Sequence, residues 1–82
     1  MKKMTDYRIV IDTTGLRCPL PVLKVRKSLP VLKGKDLALI IADDPLAEVD
    51  LRHFCSTKSY EIKKISPNKS DKTQYYEIMC LN

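Results

Sequence analysis

The sequence predicts a mixed α/β fold with the element order strand, helix, strand, helix, strand, strand, and three features of its apolar pattern carry that prediction. The run YRIVID at residues 7–12 is rich in strand-favouring side chains, and after a short turn the apolar spacing changes to a helical period from Pro19 onward. Residues 36–42 are almost unbroken apolar sequence (Leu37, Ala38, Leu39, Ile40, Ile41), the pattern of an interior strand covered on much of both faces. Residues 60–65 and 74–81 are two more strand-like runs, separated by the polar stretch PNKSDK at 67–72 that suits a hairpin.

Taken in order, residues 1–6 are expected to be a flexible N-terminus, and 7–12 the first strand. Thr13, Thr14 and Gly15 supply turn chemistry, which places Cys18 at or beside the N-cap of a first helix over 19–29. Pro19 would be its first residue and Pro21 its third, within the turn whose N–H groups lack intrahelical acceptors, so neither proline removes a helical hydrogen bond. Val22, Val25, Leu29 and Leu32 line one face, while Lys24, Arg26, Lys27 and Ser28 take the rest. Pro30 disfavours α conformation at Leu29 and should end the helix there. The second strand is expected to run parallel to the first through a right-handed connection. Asp44 then reads as a helix cap with Pro45 as the first helical residue. In that second helix Ala47, Leu51, Phe54 and Cys55 share a face and His53 points elsewhere. In the last strand Tyr76, Ile78 and Cys80 alternate onto one side.

Eighty-two residues predict one domain over 1–82, and a chain of this size buries only about 60–65% of its unfolded surface, enough for one modest core. Apolar residues at 44% and charged ones at 30% exclude both disorder and a long apolar span. Arg8 and Asp12 interrupt the only stretch that could serve as a signal peptide, so a cytoplasmic protein away from membranes is expected. Cysteines at 18, 55 and 80 are odd in number and widely spaced, unlike a secreted disulfide framework. Cys18, His53 and Cys55 lack both a Cys-x-x-Cys pair and an evident fourth ligand, and no phosphate loop or nucleotide fingerprint occurs; neither metal nor cofactor is expected. The net charge of +5 is uneven: residues 1–35 hold nine Lys/Arg against two Asp (+7), residues 36–82 six against eight acidic (−2). The basic surplus thus lies in the half that carries Cys18, a field suited to an acidic partner or to RNA phosphates.

The stretch DTTGLRCPLP at 12–21 is where chemistry concentrates. A thiol at a helix N-terminus meets the positive end of the helix dipole, and the Leu20 and Val22 N–H groups are candidates to donate to it. Arg17, Lys24, Arg26 and Lys27 would act in the same sense if they face the sulfur. These features predict a lowered pKa and a substantial thiolate fraction at neutral pH, which makes Cys18 a candidate nucleophile. Cys55, one turn after Leu51, and Cys80 read as packed thiols.

Asp12, Gly15, Cys18, Pro19 and Pro21, followed by a basic helix, resemble the Cys-Pro-x-Pro signature of the TusA/SirA sulfur-carrier family. The segment IIADDP at 40–45, the stretch 50–55 ending in Phe54-Cys55, and the final strand pair match in order and spacing, so the resemblance covers nearly the whole chain. It implies an α+β two-layer sandwich, two helices packed on one face of a four-stranded mixed sheet, similar to the C-terminal domain of bacterial translation initiation factor three. It also implies a sulfurtransferase that acts as a carrier: Cys18 holds sulfane sulfur as a persulfide, received from a cysteine desulfurase or other donor and passed to a downstream acceptor protein. In the best-known branch that relay ends in thiolation of a tRNA wobble uridine. Gly15, Arg17, Pro19, Leu20 and Pro21 are then the residues that shape the motif and support the thiolate, and Lys24, Arg26 and Lys27 are candidates for partner docking by a monomer. The variable position of the motif is Leu20, where tRNA-thiolating members commonly carry an acidic residue. Two other classes use similar features. A small basic RNA-binding module would use the N-terminal charge, although one Phe, four Tyr and no Trp make poor stacking platforms. A thiol redox sensor would need a resolving cysteine near Cys18.

Overall fold

The computed structural model describes residues 7–65 and 73–81; the expected flexible segment 1–6 and the polar loop at 67–72 lie outside the described residues. The first strand, β1 (Ile9–Asp12), pairs in parallel with β2 (Leu37–Ala42), with Ile11 opposite Ile40. Strand β4 (Gln74–Cys80) lies antiparallel on the other side of β2, and β3 (Tyr60–Ile65) pairs antiparallel with β4, giving the order β1-β2-β4-β3. β2 is therefore hydrogen-bonded on both edges, as its apolar run predicts.

Two helices, α1 (Leu20–Ser28) and α2 (Ala47–Thr57), pack on one face of this sheet, the two-layer α+β architecture expected. Strand alternation delivers one set of side chains to the core: Ile11, Ala38, Ile40, Ala42, Tyr76, Ile78 and Cys80. Val25 and Leu29 meet them from the first helical segment, Ala47, Leu51 and Cys55 from α2. Each fully buried Leu, Ile or Val contributes about 1.5–3 kcal/mol, so this one cluster supplies most of the driving force. Phe54 and Tyr60 stack at the cluster's margin with ring centroids 5.9 Å apart.

Both helix starts fall later than the spacing predicts. Pro19 has φ −98° and ψ 16°, outside the helical region, so it is the N-cap and Leu20 the first helical residue. Cys18 therefore precedes the cap. The α conformation ends at Ser28 as Pro30 dictates, but residues Leu29–Val31 tighten into a 3₁₀ turn that keeps Leu29 buried. At the second helix Asp44 does not cap. Its carboxylate accepts the Leu46 N–H at 3.0 Å and its carbonyl accepts the Ala47 N–H at 3.0 Å, a turn that moves the N-cap to Leu46.

Candidate functional site

The site begins where β1 ends. Thr13 is fully buried, and both its N–H and its hydroxyl donate to the Ile41 carbonyl, at 2.7 and 2.6 Å, which ties the departing chain to β2. Asp12 Oδ1 accepts the Thr14 hydroxyl at 2.7 Å and the Thr14 N–H at 2.9 Å, bonds that hold its carboxyl below the usual carboxylate range. The chain then reverses at Gly15, whose φ of +84° is costly for any residue with a Cβ. The Gly15 N–H donates to the Asp43 carboxylate at 3.1 Å, and Arg17 forms an ion pair with the same carboxylate at 3.1 Å.

These contacts present Cys18 to solvent at the mouth between the two helices. Its backbone N–H donates to Asp44 Oδ2 at 2.5 Å, so one buried carboxylate organises both helix starts. The N–H groups of Leu46 and then Cys18 hold the Asp44 carboxyl below its ordinary value. The Cys18 sulfur meets a further carboxylate: its S–H donates to Asp50 Oδ2 at 2.6 Å.

This contact overturns the expected thiolate. The hydrogen bond from the thiol to Asp50, with partial desolvation and the negative charges of Asp50 and Asp44, pushes the Cys18 pKa up. The offsetting groups are elsewhere. The Leu20 N–H closes on the Arg17 carbonyl at 2.8 Å, Arg17 is engaged by Asp43, and Lys24 donates to the Asp12 carbonyl at 2.6 Å. A full negative charge in contact with the sulfur outweighs the partial charge of a helix end.

The structure brings Gly15, Arg17, Cys18 and Pro19 into one turn, with Pro21 buried beneath it and Leu20 half-exposed beside it. Leu20, Lys24, Arg26 and Lys27 line an open groove of about 680 Å³ with Leu16 and Leu23. A second groove of about 530 Å³ runs between α1 and α2, bordered by Pro19, Val22, Arg26, Asp50, His53 and Phe54. Sequence reasoning missed Asp43, Asp44 and Asp50 as parts of the site. The only sequence signal was the Asp43-Asp44 pair, read as a helix start, and the position of Asp50 within the segment shared with the family.

Cys55 and Cys80 are both buried, and burial pushes the Cys55 thiol up to about 11. His53 is exposed. Among the described residues no three His, Cys, Asp or Glu side chains are grouped to hold a metal ion, and no helix is long and apolar enough to cross a membrane.

The architecture and the motif agree with known proteins. A crystal structure of a SirA-like protein from Desulfitobacterium hafniense superposes with a TM-score of 0.73 over 87% of this chain and 95% of that one, at 22% identity, and so shares its fold. The family model described as Sulfurtransferase TusA matches residues 9–79, a span that includes the cysteine turn, both helices and nearly all of the sheet. The chain therefore belongs to the TusA sulfurtransferase family, whose membership implies a sulfur-carrier role exercised with relay partners.

Proposed function

We propose that Cys18 carries sulfane sulfur as a persulfide between a protein donor, such as a cysteine desulfurase, and an acceptor in a sulfur relay. The observation that carries this reading is the segregation of the three thiols: Cys18 is exposed in the Cys-Pro-x-Pro turn, whereas Cys55 and Cys80 are buried. A persulfide needs an accessible sulfur and no neighbouring thiol that would discharge it as a disulfide. Loading is nucleophilic covalent chemistry: Cys18 Sγ bonds to the terminal sulfur of the donor persulfide, the donor S–S bond breaks, and its electron pair leaves on the donor thiolate.

The apolar residues Leu16, Leu20 and Leu23, ringed by Lys24, Arg26 and Lys27, offer such a donor or acceptor a docking face. The protein acts as a cytoplasmic monomer in this reading, and tRNA wobble-uridine thiolation is one outlet for the sulfur. RNA binding by the basic half is less well supported, because Arg17 is paired with Asp43 and Lys24 donates to the Asp12 carbonyl. Redox sensing would require Cys55 or Cys80 to leave the core.

The test is mass spectrometry of intact protein and peptides after incubation with a cysteine desulfurase and cysteine, beside the Cys18→Ser variant. One added sulfur on the Cys18 peptide, absent from the variant, is expected. Sulfur on Cys55 or Cys80 in the variant, or none on the wild type while a known carrier is loaded in parallel, would refute the proposal.

A further inference from the structure

An anion in contact with a nucleophilic sulfur impedes thiolate formation unless it also handles the proton. We infer that Asp50 is the proton acceptor and donor for Cys18: its carboxylate takes the thiol proton as Sγ attacks the donor and supplies a proton to Sγ as the sulfur departs. This inference rests on the reading of Cys18 as the carrier. Four carboxylates border the turn, and three are occupied: Asp12 binds the N–H and hydroxyl of Thr14. Asp43 binds the Gly15 N–H and Arg17, and Asp44 binds the N–H groups of Cys18 and Leu46. The Asp50 side chain has its hydrogen bond to Cys18 Sγ, 2.6 Å from Oδ2, within reach for direct proton transfer. It is placed there by the packing of α2 against α1, with the groove containing Arg26 and His53 opening beyond it. Asp44 faces the Cys18 backbone N–H, and Arg17 is held on Asp43.

The steps balance without an oxidant. In loading, Cys18 Sγ–H gives its proton to Asp50 Oδ2, and Sγ bonds to the terminal sulfur of the donor persulfide. The donor's S–S bond breaks with its electron pair on the departing sulfur, which then takes the proton from Asp50. One persulfide and one thiol have become one thiol and one persulfide. Discharge is the reverse: the acceptor thiol gives its proton to Asp50 and attacks the terminal sulfur, and the Cys18 sulfur that leaves recovers that proton. Between transfers the carboxylate holds Cys18 as a thiol, the form that reacts poorly with stray electrophiles.

The test compares full-length wild type with Asp50→Asn and Asp50→Glu by two readouts. The first is the pH profile of iodoacetamide alkylation at the Cys18 peptide; the second is single-turnover transfer from a cysteine desulfurase persulfide, followed by mass spectrometry. Removing the charge should shift the Asp50→Asn alkylation midpoint to lower pH, yet slow sulfur transfer about 100-fold, the low end of general acid–base contributions. Asp50→Glu should recover part of the transfer rate. A more reactive thiol that transfers more slowly is an outcome that simple repulsion does not produce. Transfer by Asp50→Asn at or above the wild-type rate, or an alkylation midpoint that does not move, overturns the inference and leaves the carrier reading standing. A wild type that takes no sulfur on Cys18 refutes the carrier reading itself, and the role of Asp50 with it.

Discussion

Cys55 offers a test of the core thiol assignment that depends on numbers rather than on presence or absence. The perturbation is alkylation of the native chain with iodoacetamide at pH 7. Cys55 is 2% exposed, on the face of α2 that packs against the sheet, and burial pushes its thiol up to about 11. At pH 7 such a thiol is about one part in 10⁴ thiolate, against about one part in 10² for an unhindered thiol titrating near 9. Ionisation alone then slows Cys55 about 100-fold relative to the same residue in the unfolded chain. Access adds to this, because reagent must wait for a local or global opening, which in a small domain is populated to about one part in 10³ or less. The assay resolves peptides by mass after timed labelling in buffer and in urea. Cys55 should label at least 100-fold faster in urea than in buffer. A native rate within tenfold of the unfolded one would mean that Cys55 is accessible, and the segregation of thiols that supports a single carrier site would fail.

Two further outcomes follow from individual contacts. Gly15→Ala places a Cβ where nothing lies within 4 Å, so its cost is that of holding φ +84° and not of a clash; urea unfolding should show a loss of about 1 kcal/mol, and an unchanged midpoint would refute the strain argument. Glu48 accepts from Arg52 at 2.9 Å and from Lys64 at 3.2 Å, which together hold its carboxyl below its ordinary 4.5. A depressed carboxyl stabilises the fold above its unfolded pKa and loses that contribution as pH falls through the folded value. Glu48→Gln should therefore be less stable than wild type above pH 4.5, by at most about 1 kcal/mol for so exposed a network, with the difference closing on acidification. A difference that widens in acid would contradict the sign.

Much of the architecture was legible because secondary structure is written in local periods. The alternation of Tyr76, Ile78 and Cys80 and the one-turn spacing of Leu51 and Cys55 each report a single face, and the structure buries those faces. The cysteine turn was legible for a similar reason, since Gly15, Cys18, Pro19 and Pro21 act through their own backbone. Helix starts were read one or two residues early, because a cap depends on where its side chain is spent. Asp44 has the composition of a cap, but its carboxylate bridges Leu46 and Cys18, 26 residues away in sequence from the latter.

The electrostatics of the site show most clearly what only the tertiary structure decided. Along the chain, the positive surplus surrounds Cys18; across space, Asp43, Asp44 and Asp50 from the acidic half close around its turn. Two of the nearby cations are held by other groups, Arg17 by the Asp43 carboxylate and Lys24 by the Asp12 carbonyl. The sequence by itself determined the order of elements and most of the core-facing positions and singled out the Cys18 thiol, all of which follow from spacing and side-chain type. The charge that this thiol feels was decided by the packing of α2 against α1, which sets a carboxylate 32 residues away in contact with the sulfur. Coulombic influence falls with distance through space, and distance through space is the quantity that a linear sequence does not contain.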